Sequence, residues 1–345
     1  MTTPANTAER MLPERDSRRQ FRALLPIIAP FLTLIVLFLF FSVTTTTFNN
    51  PINLNNILVQ ISTIAILATG MTFVLLTGEI DLSIAAMVTL SGVVSAHLFA
   101  NLDLREPFTT VVPLGVATLL GFVSGFASTK FRIPTFMVTL AMSLIASGLS
   151  IGITEGRIVF DYSEVIRTLG SGRFIIPEAG INLRVLTILA AICLFIGFLV
   201  LRYTRFGRYI YMTGANKSAA RLAGVDTDMM VIAALTICGF TAGLAGLANV
   251  GRLASAQPTV INGFLIDTIG AVVLGGTSLS GGRGGIIQTV GGLLIYGTLR
   301  NGLDNLPQLQ TGAGVFFKEF ITGIVLFVAL IVNVLLSGRA SRDRT

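Results

Sequence analysis

The chain of 345 residues has no tryptophan, one histidine (His97) and two cysteines, Cys193 and Cys238. Two cysteines cannot build a disulfide framework, and with a single histidine they cannot supply an ordinary His/Cys metal cluster. Charge is scarce too. Only 12% of residues are Asp, Glu, Lys or Arg, about half of the ~25% of a soluble domain. Apolar residues take their place, at 53% of the chain with a mean hydropathy of +0.82. This excludes a disordered chain and leaves an integral membrane protein. The formal charge of +7 does not indicate nucleic acid, because the basic residues sit in short gaps between long apolar runs rather than on one face.

A bilayer core of ~30 Å takes about 20 apolar residues in helix. Runs at 24–43, 57–77, 84–101, 111–129, 134–153, 185–201, 229–250 and 316–337 meet that requirement. Two shorter, glycine-rich segments, 264–276 and 285–300, bring the expected crossings to about ten. The first run follows a head carrying Arg10, Arg15, Arg18, Arg19 and Arg22, and it is too long for a cleaved leader, so it reads as a retained span. With the N-terminus inside, sixteen of the 24 Lys and Arg fall in inner segments and seven in outer ones. That bias predicts N-in/C-in. The expectation is an all-α polytopic protein: a basic cytoplasmic segment 1–23, one membrane domain 24–337 and a basic cytoplasmic tail 338–345. Its largest loops are an inner one at 202–228 and an outer one at 154–184. Neither can form a catalytic domain, so another polypeptide or an ion gradient must power whatever it does.

Glycines spaced by four, at Gly121/Gly125, Gly148/Gly152 and Gly239/Gly243, predict close helix packing. Ionisable groups at membrane depth mark function by default. Glu79 and Asp81 interrupt two apolar runs, and two readings fit them: a proton or Na⁺ site, or a short interfacial turn in which Ser83 caps the next helix. Asp267 lies in the short segment 264–276, beside the Gly-rich run 275–285, where transporters place sites or gates. Lys318 and Glu319 are explained by snorkelling. That Gly-rich run is no phosphate loop, because the chain contains no Gly-Lys pair.

The stretch 203–225 carries the most information. Asn216 is a good N-cap and Gly224 a good helix terminator. Between them, Ala219, Ala220, Leu222 and Ala223 predict a small apolar surface on a helix too short to stand alone. Two readings fit such a helix: docking into a partner's groove, or an amphipathic loop helix lying on the membrane.

Here the sequence resembles the coupling loop of ABC-importer permeases of the ribose/xylose/galactose type. The Gly-x-Asn-x-x-Ala-Ala-Arg-x-x-Gly core is matched by Gly214, Asn216, Ala219, Ala220, Arg221 and Gly224. Three further segments match in order: 78–83, 132–136 and 275–284. Glu79 departs from the pattern, which usually has a second glycine there, and Ile84-Ala85-Ala86 replaces the common Val-Gly-Ser. The resemblance implies a permease subunit for a monosaccharide or related polyol in the bacterial inner membrane. It also implies partners: two ABC ATPase subunits on the cytoplasmic face, a periplasmic sugar-binding protein and a second permease copy, most simply a homodimer in lipid. No cofactor is expected in this chain; ATP and Mg²⁺ belong to the ATPase. The permease would not be an enzyme, and residues 214–224 would engage the ATPase. Asp81, Ser83, Thr135 and Phe136 are the candidates for lining or gating the path. The competing readings are an ion-coupled secondary carrier using Glu79, Asp81 and Asp267, and a membrane-embedded transferase, which the scattered single acids disfavour.

Overall fold

The structure is a computed structural model that describes residues 30–331, apart from 177–180, 262, 310, 311, 313, 315, 326, 329 and 330. The basic segment 1–23, the tail 338–345 and the end of the last expected span lie outside the described residues. In chain order the elements are α1 (Pro30–Thr44), α2 (Pro51–Leu76), α3 (Ile84–Ala100), α4 (Phe108–Phe131), α5 (Thr135–Thr154), α6 (Glu164–Ser171), β1 (Arg173–Ile176), β2 (Ile181–Arg184), α7 (Val185–Tyr203), α8 (Arg205–Ala215), α9 (Lys217–Leu222), α10 (Thr227–Leu253), α11 (Gly263–Leu274) and α12 (Ile286–Asp304). Residues 316–325 form a further helical stretch. The fold is overwhelmingly helical. Among the described residues five helices (α2, α4, α5, α7 and α10) are long and apolar enough to cross a membrane, and α1, α3 and α11 are shorter apolar helices.

The apolar pattern explains the layering. Helices α2 and α10 are apolar all round and mostly buried, as expected of central helices. By contrast α4, α5 and α7 are mostly exposed along their apolar windows, and present Leu119, Phe126, Leu144 and Phe195 outward. A surface this apolar is a lipid-facing one. The core unites Leu67, Met71 and Leu75 of α2, Met87 of α3, Leu235 and Cys238 of α10, Val272 of α11 and Tyr296 of α12.

Lipid offers helices little hydrophobic reason to associate, so close backbone contact must hold them together. The α4/α10 crossing shows how. A Cβ on Gly121 would lie 2.4 Å from the Leu235 carbonyl, and one on Gly239 2.4 Å from the Ala117 carbonyl. Gly125 and Gly243 meet the same partner helices. The third pair departs from expectation, since nothing lies within 4 Å of Gly148 or Gly152; spacing alone does not reveal which face of α5 is covered.

The segment 154–184 is more ordered than a loop. It carries α6, capped by the Ser163 hydroxyl, and the antiparallel hairpin β1–β2. It is pinned by a bridge between Val159 and Ala256 and by Ser163 donating to Glu106 Oε1 at 2.5 Å. Burial pushes the Glu106 carboxyl up, but hydrogen bonds from Ser163, Thr109 and Thr110 outweigh this and hold it below its ordinary value. Near the last expected span, Lys318 bonds Asp304 at 2.8 Å and Glu319 faces Arg300 at 3.6 Å.

Gly121→Leu is expected to cost about 2 kcal/mol or more, because a side chain there meets backbone that cannot yield. Gly148→Leu should stay within about 0.5 kcal/mol. Unfolding curves in mild detergent compare the two, and equal losses would contradict the assigned crossing.

Candidate functional site

Three segments distant in sequence meet at one end of the helical body: the turn 77–83 after α2, the α8–α9 kink at 214–217 and the glycine-rich loop 275–285. Their contact is largely backbone. The Leu76 carbonyl accepts a hydrogen bond from Gly282 N–H at 2.9 Å. On the same carbonyl, a Cβ at Gly214 would sit at 1.9 Å, and 2.6 Å from the Gly282 nitrogen. A Cβ at Gly281 would lie 2.8 Å from the Gly78 nitrogen and 3.0 Å from the Gly214 Cα; Gly281 also has φ of +83°. Only glycine combines that left-handed backbone with so close an approach. Tyr211 of α8 adds a side-chain tie, donating to the Gly284 carbonyl at 2.8 Å.

The α8–α9 segment is built by local capping. Thr204 caps α8 by accepting from Gly207 N–H, so the residues before Asn216 form a helix of their own. Asn216 caps α9, its Oδ1 accepting from Ala219 N–H at 2.9 Å. Arg221 is held against Thr227 at 2.7 Å and Asp228 at 2.5 Å, which fixes α9 to the start of α10. The expected apolar surface forms in part: Ala219, Leu222 and Ala223 are exposed at helical spacing, and Ala220 is buried against the body. Leu222 points away from the body and is 91% exposed. Six residues span under two turns, so positions two apart face opposite ways.

The turn 77–83 is also tied inward. The expected cap is reversed: the Ser83 hydroxyl makes no cap bond to α3. Instead the hydroxyl and the Ser83 N–H both donate to Asp81 Oδ1, at 2.5 and 2.8 Å. A carboxylate accepts two donors where a hydroxyl beside it would compete. Thr139 of α5 accepts from Leu82 N–H at 3.1 Å. Asp81 and Ser83 are therefore buried in the turn. Thr135 is buried too, sharing a 2.8 Å hydrogen bond with Ser128, while Phe136 is exposed. Asp81 and Ser83 are brought together by direct bonds; Thr135 and Phe136 stand apart, about one helical turn from Thr139.

Of the three acids considered for an ion site, Glu79 pairs with Lys217, the first residue of α9. Asp267 lies 3.3 Å from Arg300. That pair sits toward the opposite end of α11 from the glycine-rich loop, close to where Asn53 of α2 bonds Asn301 of α12 at 2.8 Å. The sequence neighbourhood of Asp267 and the Gly run is therefore not a spatial one.

A body of apolar helices, with a capped polar helix pair anchored at one end by backbone contact, defines a polytopic membrane protein. Comparison with known proteins narrows this. A family model described as branched-chain amino acid transport system / permease component matches residues 53–330, and the chain belongs to that family. The ribose import permease protein RbsC of Escherichia coli K12 is 36% identical over 285 residues, covering 81% of this chain and 85% of the relative. The ribose import permease of Bacillus subtilis 168 is 34% identical, covering 93% and 97%. The fructose import permease protein FrcC of Rhizobium meliloti is 31% identical, covering 80% and 76%. No solved structure matches the chain.

Two glycines separate steric from conformational demands. Gly214→Val should open the junction at a cost of about 3 kcal/mol or more, by cavity-free overpacking against backbone. Gly224→Ala, with φ of +82° and nothing within 4 Å, should cost only about 1–2 kcal/mol. Limited proteolysis within 203–225 reads the difference, the valine variant being cut much faster.

Proposed function

We propose that this chain is the membrane permease of an ATP-driven, binding-protein-dependent importer for a monosaccharide or related polyol in the bacterial inner membrane. The exposed Leu222 on a rigidly seated α9 carries the reading. A permease with no motor of its own needs a stiff, partner-facing element, and the junction supplies one. The names of the sugar-permease relatives favour a sugar over the amino acids of the family description.

In this reading the junction end is cytoplasmic. The chain crosses the membrane about ten times, with both termini inside. Segments 77–83, 203–225 and 275–285 share one end, while α6, the hairpin and the Val159–Ala256 bridge belong to the other. This segregation supports the alternation expected from the Lys/Arg bias. Residues 214–224 face an ABC ATPase, which holds the ATP and Mg²⁺, and a sugar-binding protein delivers its cargo to the opposite end. A second permease copy completes the core.

The division of labour within the loop follows from exposure. Gly214 seats α8 against Leu76, Asn216 and Arg221 stiffen α9, and Ala220 lets α9 lie close to the body. Leu222 then enters the partner. When ATP closes the ATPase pair, the displacement of α9 passes through the junction to α2 and α12. The turn holding Asp81 and Ser83, and the α5 start at Thr135 and Phe136, move with it to open or close the path. Because the delivered sugar is selected on the soluble receptor, the path needs only weak polar contacts. The ion-coupled alternative has less support, since Glu79 and Asp267 already neutralise basic side chains.

Pull-down of tagged protein from native membranes in mild detergent, with mass spectrometry of co-purifying proteins, tests this. The native chain should bring an ABC ATPase and a sugar receptor. Burying a leucine contributes about 1.5–3 kcal/mol, so Leu222→Glu should retain at least about tenfold less ATPase, and Gly224→Arg should weaken retention as well. Recovery of the chain alone in every sample would reject the importer reading and turn attention to an ion gradient.

A further inference from the structure

We propose that Glu79 is a positioning residue that couples α9 to the transmembrane helices through its ion pair with Lys217. The proposal rests on the importer reading and names how its drive is transmitted. At the kink, Gly214 packs by backbone against Leu76, the last residue of α2, and Gly281 lies against both Gly78 and Gly214. Packing of this kind pushes but does not pull. The Glu79–Lys217 pair is a direct charge contact between the turn and α9, and it resists separation of the two.

Its placement suits the task. Lys217 is the first residue of α9, directly after the Asn216 cap, so its backbone is rigid with the helix that bears Leu222. Glu79 stands in a turn whose other atoms are committed to the spans. Its own N–H donates to the Val74 carbonyl at 3.3 Å. The next residue's carbonyl lies 3.4 Å from the Thr139 hydroxyl of α5, and Asp81, two residues on, bonds both donors of Ser83 at the head of α3. A pull on Lys217 therefore reaches α2, α3 and α5 through one carboxylate. The Glu79 side chain is 18% exposed and that of Lys217 44%. Partial burial keeps the attraction from being fully screened, while the exposed half lets the pair form and break during a cycle. As a source of stability, such a pair contributes little. Its significance lies in direction and connection.

The test uses the complex of this chain with its co-purifying ATPase in lipid nanodiscs. Glu79→Gln, Lys217→Gln, Lys217→Arg and the reciprocal swap of Glu79→Lys with Lys217→Glu are compared with the native chain. Three quantities are measured: ATPase bound per permease, melting temperature and ATP turnover per complex. Glu79→Gln, outside the ATPase-facing segment, should keep native ATPase stoichiometry and melting temperature, and both glutamine variants should shift turnover per bound ATPase at least threefold from native. Lys217→Arg and the swap should return it to within twofold. A purely structural pair would move the melting temperature and leave turnover alone. Native turnover in the glutamine variants, or a swap that fails to recover it, would overturn the inference and leave the importer reading intact. Loss of the ATPase from the glutamine variants would make the pair a docking contact and overturn it too. A native chain that recovers no ATPase would overturn both.

Discussion

The Leu76 carbonyl is the point on which this molecule turns. It ends the buried central helix α2, accepts the Gly282 N–H, and leaves no room for any side chain at Gly214. A carbonyl at the end of an apolar helix must find a donor, because lipid supplies none and an unmet group costs several kcal/mol. Here the donor comes from a loop more than 200 residues away. Satisfying one backbone group therefore brings two distant segments to the end of α2, and the capped helices α8 and α9 are seated where they can face a partner.

The same economy of side chains recurs through the body. Where soluble proteins bury large apolar groups to hold elements together, this chain removes side chains and lets backbones touch, at α4 against α10 and at α6 against α10. Gly170 and Gly251 approach to within a Cβ of each other's helix. Helices held by shape can slide or tilt as units without losing solvation free energy, which suits a protein that must change conformation in lipid. Hydroxyls and amides then act locally. Thr72 meets Thr289 at 2.7 Å and Asn53 meets Asn301, joining α2 to α12 at two depths.

The described ion pairs tie separate elements together. Arg221 is locked to Asp228, which stiffens the presenting helix, and Glu79 answers Lys217 across the junction. At the other end Asp267, Arg300 and Glu319 balance one another. Glu79 and Asp267 acquire basic partners in three dimensions, and Asp81 accepts both donors of Ser83 on one oxygen. Their isolation in sequence leaves an ion-binding reading open; the pairing of Glu79 and Asp267 weakens it.

The segments near 57–77, 84–101, 111–129, 134–153, 185–201 and 229–250 were legible from the sequence, because twenty apolar residues have few alternatives to a helix in lipid. So were the Asn216 cap and the α4/α10 glycines, which are local or periodic signals. The helix α8, the hairpin β1–β2 and the reversed cap at Asp81 were not. They depend on polar groups whose competition for donors is decided only by what lies nearby. Nor could sequence tell that Leu222 faces out while Ala220 faces in, or that Gly148 meets nothing within 4 Å among the described residues. Hydrophobicity and spacing by themselves determined which stretches form long apolar helices and where the Asn216 cap starts a short polar one. Tertiary structure alone decided which faces are covered and which charges meet, because those contacts join residues as far apart as Leu76 and Gly282, and no local periodicity encodes them.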